Sequence, residues 1–308
     1  MPGWLRRNAS KGRKSEHMDN FTYAAPRTLG EAYALLANGQ STTFLAGGTD
    51  VIVQLREARK HCDQLIDLKH IPELMSLTLR SDGSLAIGAA MPCAEIYENA
   101  EATRAFPALI DVATLIGGIQ IQGRASLGGN LCNASPAGDS ACALAVQGAR
   151  LLIGSSSGER EIVVEDLFAG PGENTLKPGE ILVQIMIPAQ PANSGARYIR
   201  FIPRNEMDIA VASAGARITL APGGDTIESA KIAIGAVAPT PLVVEEAGAA
   251  LEGQAPGEEA FARAGQLAAD AARPITDMRG SAAQRKHLSS VLTRRALEGA
   301  LSRAKEAR

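Results

Sequence analysis

The apolar positions of this chain alternate between two periods, one of two residues and one of three to four. From Asn20, the stretch FTYAAPRTLGEAYALLANG predicts a strand, a Pro-bounded turn and a helix whose Ala32, Leu35 and Leu36 recur at i, i+3 and i+4. Gly39 stands where a helix C-terminus takes a left-handed residue. TTFLAGG is the next strand and DVIVQLREARK the next helix. QLIDLKHI and ELMSLTLRSDGSLAIGAA predict strands, with a hairpin turn at Asp82-Gly83. CAEIYENAEATRAFPALIDVATLI is helical, ARLLIGSSSGEREIVVEDLF a second hairpin, and EILVQIMIP an apolar strand ended by Pro188.

Residues 188–196, PAQPANSGA, have the composition of a linker. Beyond them ARYIRFIPR, IAVASAGARITLA and IESAKIAIGAVA predict strands, followed by helices to the end. The chain therefore divides near residue 190, with a strand-and-helix domain over 18–190 and a smaller α+β domain over 191–308. Residues 1–17 carry Arg6, Arg7, Lys11, Arg13 and Lys14 against Glu16 and lack the apolar core of a secretory signal. We read them as a disordered basic extension or the product of an upstream start, with Met18 opening the folded part; a transit peptide is the alternative.

Composition narrows the function classes. At 45% hydrophobic, 21% charged and formal net charge −2, the chain lacks the basic excess of a nucleic-acid surface. No apolar run is long enough to span a bilayer. Aromatics make up only 4%, so small residues must let backbones approach closely. Cys62, Cys93, Cys132 and Cys142 form no CxxC pair, and the four histidines no ligand pattern; His61 beside Cys62 is the nearest to one. The thiols read as reduced and packed in a cytoplasmic protein, with no metal on this chain.

Two glycine loops carry the candidate chemistry: TTFLAGGTDVIVQLREA at 42–58 and RASLGGNLCNASPAGDSACALAV at 124–146, each expected to follow a strand and precede a helix. Glycine lets successive N–H groups turn inward as a nest, and a missing Cβ lets a phosphate approach. Each charge-assisted bond is worth roughly 1.5–3 kcal/mol, so two such loops can hold a diphosphate although neither contains a lysine. Asp50 would repel phosphate; with Thr49 it is expected to accept N–H bonds and lock the turn. Asp139 either faces a ribose hydroxyl or caps the helix SACALAV. Neither loop is GKS/GKT or GxGxxG, so the residues themselves imply a diphosphate-containing cofactor and leave its identity open.

FLAGGTDV and ASLGGNLCNASPAGD, together with GEILVQIMIP, YIRFIPRNEMDIAVASAGARI, AIGAVAPTPLVVEEAGAALEG and ITDMRGSAAQRKHLSSVLTRRAL, make the chain resemble the FAD-binding medium subunit of molybdenum hydroxylases. That group includes the carbon monoxide dehydrogenase medium subunit and matches the flavin domain of xanthine dehydrogenase. The resemblance implies an α+β fold, with a vanillyl-alcohol-oxidase/PCMH-like FAD-binding domain of two α/β subdomains (about 18–72 and 73–190) and the C-terminal α+β domain. Carried over by position, Phe44, Leu45, Ala46, Gly47, Gly48, Thr49, Asp50 and Val51 form the first pyrophosphate loop. Ser126, Leu127, Gly128, Gly129 and Asn130 form the second. Asn130 and Asp139 match polar cofactor contacts, and Ile116, Leu182 and Arg200 match positions near the flavin ring. Ser126 replaces the family's usual threonine, and Ile116 an aromatic residue of some relatives.

Each of these residues also has a plainer reading. Leu182 and Tyr198 could be core, Arg200 could pair with Asp208 or Glu206, and Arg279 and Arg285 could be scaffold or a subunit contact. The resemblance further implies a large molybdenum-cofactor subunit and a small subunit with two 2Fe–2S clusters as partners, in a dimer of heterotrimers. This chain would take electrons from the clusters and pass them to an external acceptor, with no catalytic acid, base or nucleophile of its own. The alternatives are a stand-alone flavin oxidoreductase with its own substrate, or a non-catalytic protein with a vestigial loop.

Overall fold

The computed structural model describes residues 18–307, so the basic segment 1–17 lies outside the described residues. Its first elements are β1 (Thr22–Ala24), α1 (Leu29–Leu36), β2 (Thr42–Leu45), α2 (Val51–Arg56) and β3 (Gln64–Asp67). The strands form a parallel sheet in the order β1-β3-β2. Parallel neighbours need crossovers, which is why helices intervene between these short strands. Thr28 starts α1 by accepting from the Glu31 N–H, while Glu31 accepts in turn from the Arg27 N–H.

A second sheet follows. β4 (Leu77–Leu79) and β5 (Leu85–Gly88) are the hairpin expected at Asp82-Gly83. Next come α3 (Cys93–Glu98), α4 (Ala100–Ala105), α5 (Ala108–Ala113), α6 (Ile119–Gln122), α7 (Leu127–Cys132) and α8 (Asp139–Val146). The hairpin β6 (Arg150–Ser155) and β7 (Gly158–Val163), the small pair β8 (Phe168–Gly170) and β9 (Glu173–Asn174), and β10 (Ile181–Ile187) complete this part. β10 is the middle strand of the order β4-β5-β10-β6-β7. A central strand is covered on both faces, which accounts for the nearly continuous apolar run of EILVQIMIP.

The last part is an antiparallel sheet of β11 (Ser194–Phe201), β12 (Ala212–Leu220), β13 (Ile227–Gly235) and β14 (Leu242–Val243). α9 (Glu245–Ala249), α10 (Glu258–Ala271) and α11 (Ala282–Glu306) follow. Ala216 and Ile218 of β12 share a core with Ala296, Leu297 and Ala300 of α11. Every residue of α8 is buried, because the helix packs on α5 and α7 and also on β11, β12, β13 and β14 of the last sheet.

Charge ties these parts together. Asp111 of α5, 6% exposed in its side chain, accepts from Arg197 of β11 at 2.7 Å and from both terminal nitrogens of Arg303 on α11 at 2.6 and 2.9 Å. Arg285 is buried and donates to the carbonyls of Val211 and Ala236 and to both oxygens of Asp277. That is the scaffold reading of its motif. Among the described residues no helix is long and apolar enough to cross a membrane, and no cluster of His, Cys, Asp and Glu could hold a metal ion.

Candidate functional site

The first glycine loop leaves the end of β2 and enters α2. Gly48 turns the chain at φ +85°, and Gly47 lies so close to Arg124 that a Cβ built on it would sit 2.1 Å from the Arg124 carbonyl oxygen. Two cations fasten the loop from outside. Arg124 Nε donates to the Gly47 carbonyl at 3.1 Å, and Lys69 Nζ donates to the Ala46 carbonyl at 2.7 Å and to Asp67 at 2.6 Å. Burial alone would raise the Asp67 carboxyl, but its bonds from Lys69 and Tyr23 bring it below the usual carboxylate range. With the carbonyls engaged, the N–H groups of Gly47, Gly48, Thr49, Asp50 and Val51 are left without an acceptor among the described residues. Asp50 does not lock the turn as expected, for its side chain makes no bond at the start of α2. Arg124 and Lys69 do that work instead.

The second loop does not follow a strand as expected: it leaves α6, and Gly128 and Gly129 lie inside α7 itself. Ser126 caps the helix by accepting from the Gly129 N–H at 3.0 Å, so serine does here what a threonine hydroxyl would do. Gly129 faces the first loop: a Cβ built on it would come within 4.0 Å of the Ala46 methyl. Asn130 is held by Ser140 of α8, whose N–H and Oγ both donate to its Oδ1, at 3.1 and 2.6 Å. Three residues on, the Oδ1 of Asn133 accepts from Gln54 of α2 at 3.0 Å.

Both loops open onto one cleft of about 500 Å³. Phe44, Ala46, Gly47, Gly48, Thr49, Asp50, Val51, Ile116, Ser126, Gly128, Gly129, Asn130 and Leu182 line it. Four of the expected residues do not. Leu45 is buried in a small core with Leu55, Cys62 and Leu65, since alternate residues of a strand face opposite sides, and Leu127 lies on the core-facing side of α7.

Asp139 and Arg200 do not line the cleft and are bound to each other at 2.6 Å, with side chains 7% and 6% exposed. Tyr198, also buried, donates its hydroxyl to the other Asp139 oxygen at 2.7 Å. Arg200 therefore pairs with neither Asp208 nor Glu206, and Asp139 caps no helix: a guanidinium taken out of water needs a carboxylate taken out with it. Burial pushes the Asp139 carboxyl up, while Arg200 and Tyr198 pull it down.

The sequence reading missed one wall. Asn174, Leu176, Lys177, Pro178, Gly179, Glu180 and Ile181 also line the cleft, as does Lys60, and Asn174 Nδ2 donates to the Cys132 carbonyl of α7 at 2.8 Å. The Pro178-Gly179 turn beside a lysine was the available signal. Glu180 fixes that turn: Arg160 grips its two oxygens at 2.7 Å each and the Lys177 N–H donates to it at 2.7 Å. The Arg160 bonds hold its carboxyl down to about 2. All four cysteines are free thiols, and burial pushes Cys93, Cys132 and Cys142 up to about 12, so even Cys132 on the cleft wall is unreactive.

Orphaned amides on the first loop, the second loop lining the same cleft, a wall of apolar side chains at Ile116 and Leu182, and lysines at the rim fit an extended dinucleotide with a flat ring system. The chain matches known proteins over the same residues. Residues 19–190 match the family described as FAD binding domain in molybdopterin dehydrogenase, and 197–300 the CO dehydrogenase flavoprotein C-terminal domain. The carbon monoxide dehydrogenase medium chain of Afipia carboxidovorans is 32% identical, over 93% of this chain and 98% of that one. The xanthine dehydrogenase FAD-binding subunit of Escherichia coli O157:H7 is 31% identical, over 93% and 98%. The structure of carbon monoxide dehydrogenase from Hydrogenophaga pseudoflava superposes with a TM-score of 0.88 at 29% identity, covering 93% of this chain and 99% of that chain.

Proposed function

We propose that this chain, which belongs to the FAD-binding domain family of molybdopterin dehydrogenases and is an FAD-binding oxidoreductase subunit, serves as the electron outlet of a larger molybdenum enzyme. In this reading it receives electrons from iron–sulfur clusters on a small partner subunit, while a large partner holds the molybdenum cofactor and oxidises the substrate. The acceptor beyond it is an external molecule. The expected assembly is a dimer of such heterotrimers in the cytoplasm, where four free thiols would stay reduced.

The single observation that carries the reading is the convergence of the two glycine loops on one cleft. FAD, when bound, supplies a ring that stores electrons and hands them on. The residues of this chain do the holding. Amides of Gly47–Val51 and the loop capped by Ser126 would grip the diphosphate, and Ile116 and Leu182 would exclude water from one face of the ring. Beside Ile116, Ile119 is 73% exposed, and the neighbouring Gly118 packs on Met207, itself exposed along with Ile209. Uncovered apolar side chains so near the cleft favour a chain that works with a partner seated on it.

The test is co-purification of partner subunits followed by reduction assays. Flavin that is reduced by the organic substrate only when the partner subunits are present supports the outlet reading. Full turnover of a small substrate by the isolated chain would point to a stand-alone oxidoreductase, and a colourless protein that takes up no flavin to neither.

A further inference from the structure

Among the described residues β11 is an edge strand, with β12 on one side of it and no strand on the other. The Leu220 N–H donates to the Asn193 carbonyl, so the opposed residues Ser194 and Thr219 exchange no backbone bonds with each other. The alternation repeats every two residues, and Ala196, Tyr198 and Arg200 likewise turn both N–H and C=O away from β12. Side chains close the first part of this edge. Arg303 donates to the Ala196 carbonyl at 2.6 Å, and the Tyr198 N–H donates to Asp111 at 3.1 Å. Charged groups placed on an edge block further strand pairing. The block stops there: the Tyr198 carbonyl and the Arg200 N–H and carbonyl have no partner among the described residues. Arg200 has a side chain only 6% exposed yet is half-buried as a residue, so its backbone is what meets solvent.

A groove of about 300 Å³ is lined by the C-terminal end of α5 and by this end of β11. Ile110, Leu115, Ile199 and Ile202 give it apolar walls, and Ile110 is 39% exposed. Arg200 lines it too, and the buried Nε of that guanidinium has no acceptor among the described residues. Arg197, Arg200 and Arg303 outnumber Asp111 and Asp139, whose carboxylates those arginines already occupy. Open backbone groups, apolar walls and a surplus of positive charge match an extended peptide whose side chains alternate between apolar and acidic.

We infer that the open end of the β11 edge receives an extended acidic segment of a partner protein, which joins the sheet as an added strand. Its backbone bonds to Arg200, its apolar side chains pack on Ile110 and Leu115, and its carboxylates face the arginines. The groove shares no residue with the glycine-loop cleft, so this surface stands whether or not FAD binds there.

The experiment titrates the full chain with three synthetic hexapeptides: one alternating valine and glutamate, one alternating valine and lysine, and the glutamate peptide with every backbone nitrogen methylated. Amide hydrogen exchange reads the Arg200 N–H. The glutamate peptide should slow that exchange, the lysine peptide should bind roughly 10-fold more weakly, and the methylated peptide should give no protection. Ile110→Glu should weaken the glutamate peptide and strengthen the lysine one, and Ile110→Lys should do the reverse. Both variants change an exposed side chain and should leave the fold intact. No protection of Arg200 at millimolar peptide, equal binding of the methylated form, or a lysine peptide that binds as tightly as the glutamate one overturns the inference. Protection that rises with protein concentration in the absence of peptide assigns the edge to a second copy of this chain, and overturns it as well.

Discussion

Gly47 and Arg124 bind the two glycine loops to each other: the Arg124 Nε donates to the Gly47 carbonyl at 3.1 Å, and the Arg124 carbonyl occupies the space a Cβ of residue 47 would need. The amide cradle of the first loop therefore has its shape only while the segment before the second loop is in place. Gly47→Ala should force the segments apart, at a cost of about 1–3 kcal/mol of overpacking. Urea unfolding and the flavin content of the purified protein check this, and both should drop.

The buried pair of Asp139 and Arg200 should behave as a unit. Arg200→Met leaves a carboxylate buried without its partner, which costs about 3–5 kcal/mol, as does Asp139→Asn from the other side. The double variant should recover most of that loss. A double-mutant cycle on unfolding free energy reads the coupling directly; strictly additive single effects would remove the pair from the account.

Glu180 supplies a pH dependence. Its carboxyl titrates at about 2 in the folded chain, against an ordinary value of 4.5, chiefly because Arg160 bonds to it. A depressed folded-state pKa adds stability that is fully present above the ordinary value and lost as pH falls through the folded value. The difference in unfolding free energy between wild type and Glu180→Gln should thus be constant near neutrality and shrink between pH 4.5 and about 2. Measuring the difference cancels the other carboxyls.

Much of the site was legible in the sequence because backbone chemistry leaves strong marks. Paired glycines, Gly47-Gly48 before α2 and Gly128-Gly129 in the first turns of α7, mark places where backbones approach closely, and the hairpin at Asp82-Gly83 announces itself through turn chemistry. What failed was inference about single side chains whose partners lie far away in the chain. Asp50 stood where a cap should be, but the turn is fastened by Lys69 and Arg124. Arg200 had acids six and eight residues along, but found Asp139 at the start of α8, 61 residues distant in sequence. No local period records such a meeting.

The thiols give a chemical check on packing. With Cys93, Cys132 and Cys142 pushed up to about 12, the folded protein should react with iodoacetamide at pH 8 far more slowly than the urea-unfolded chain. Mass spectrometry of the labelled peptides reads each site. Fast labelling of Cys132 in the native protein would mean the cleft wall is looser than described.

The most direct measurement is amide hydrogen exchange of the apo-chain with FAD, with riboflavin and alone. The account predicts that FAD slows exchange at Gly47–Val51 and around Ser126–Asn130 together, and that riboflavin does not. Slowed exchange in only one loop, or in neither while FAD is bound, would contradict it.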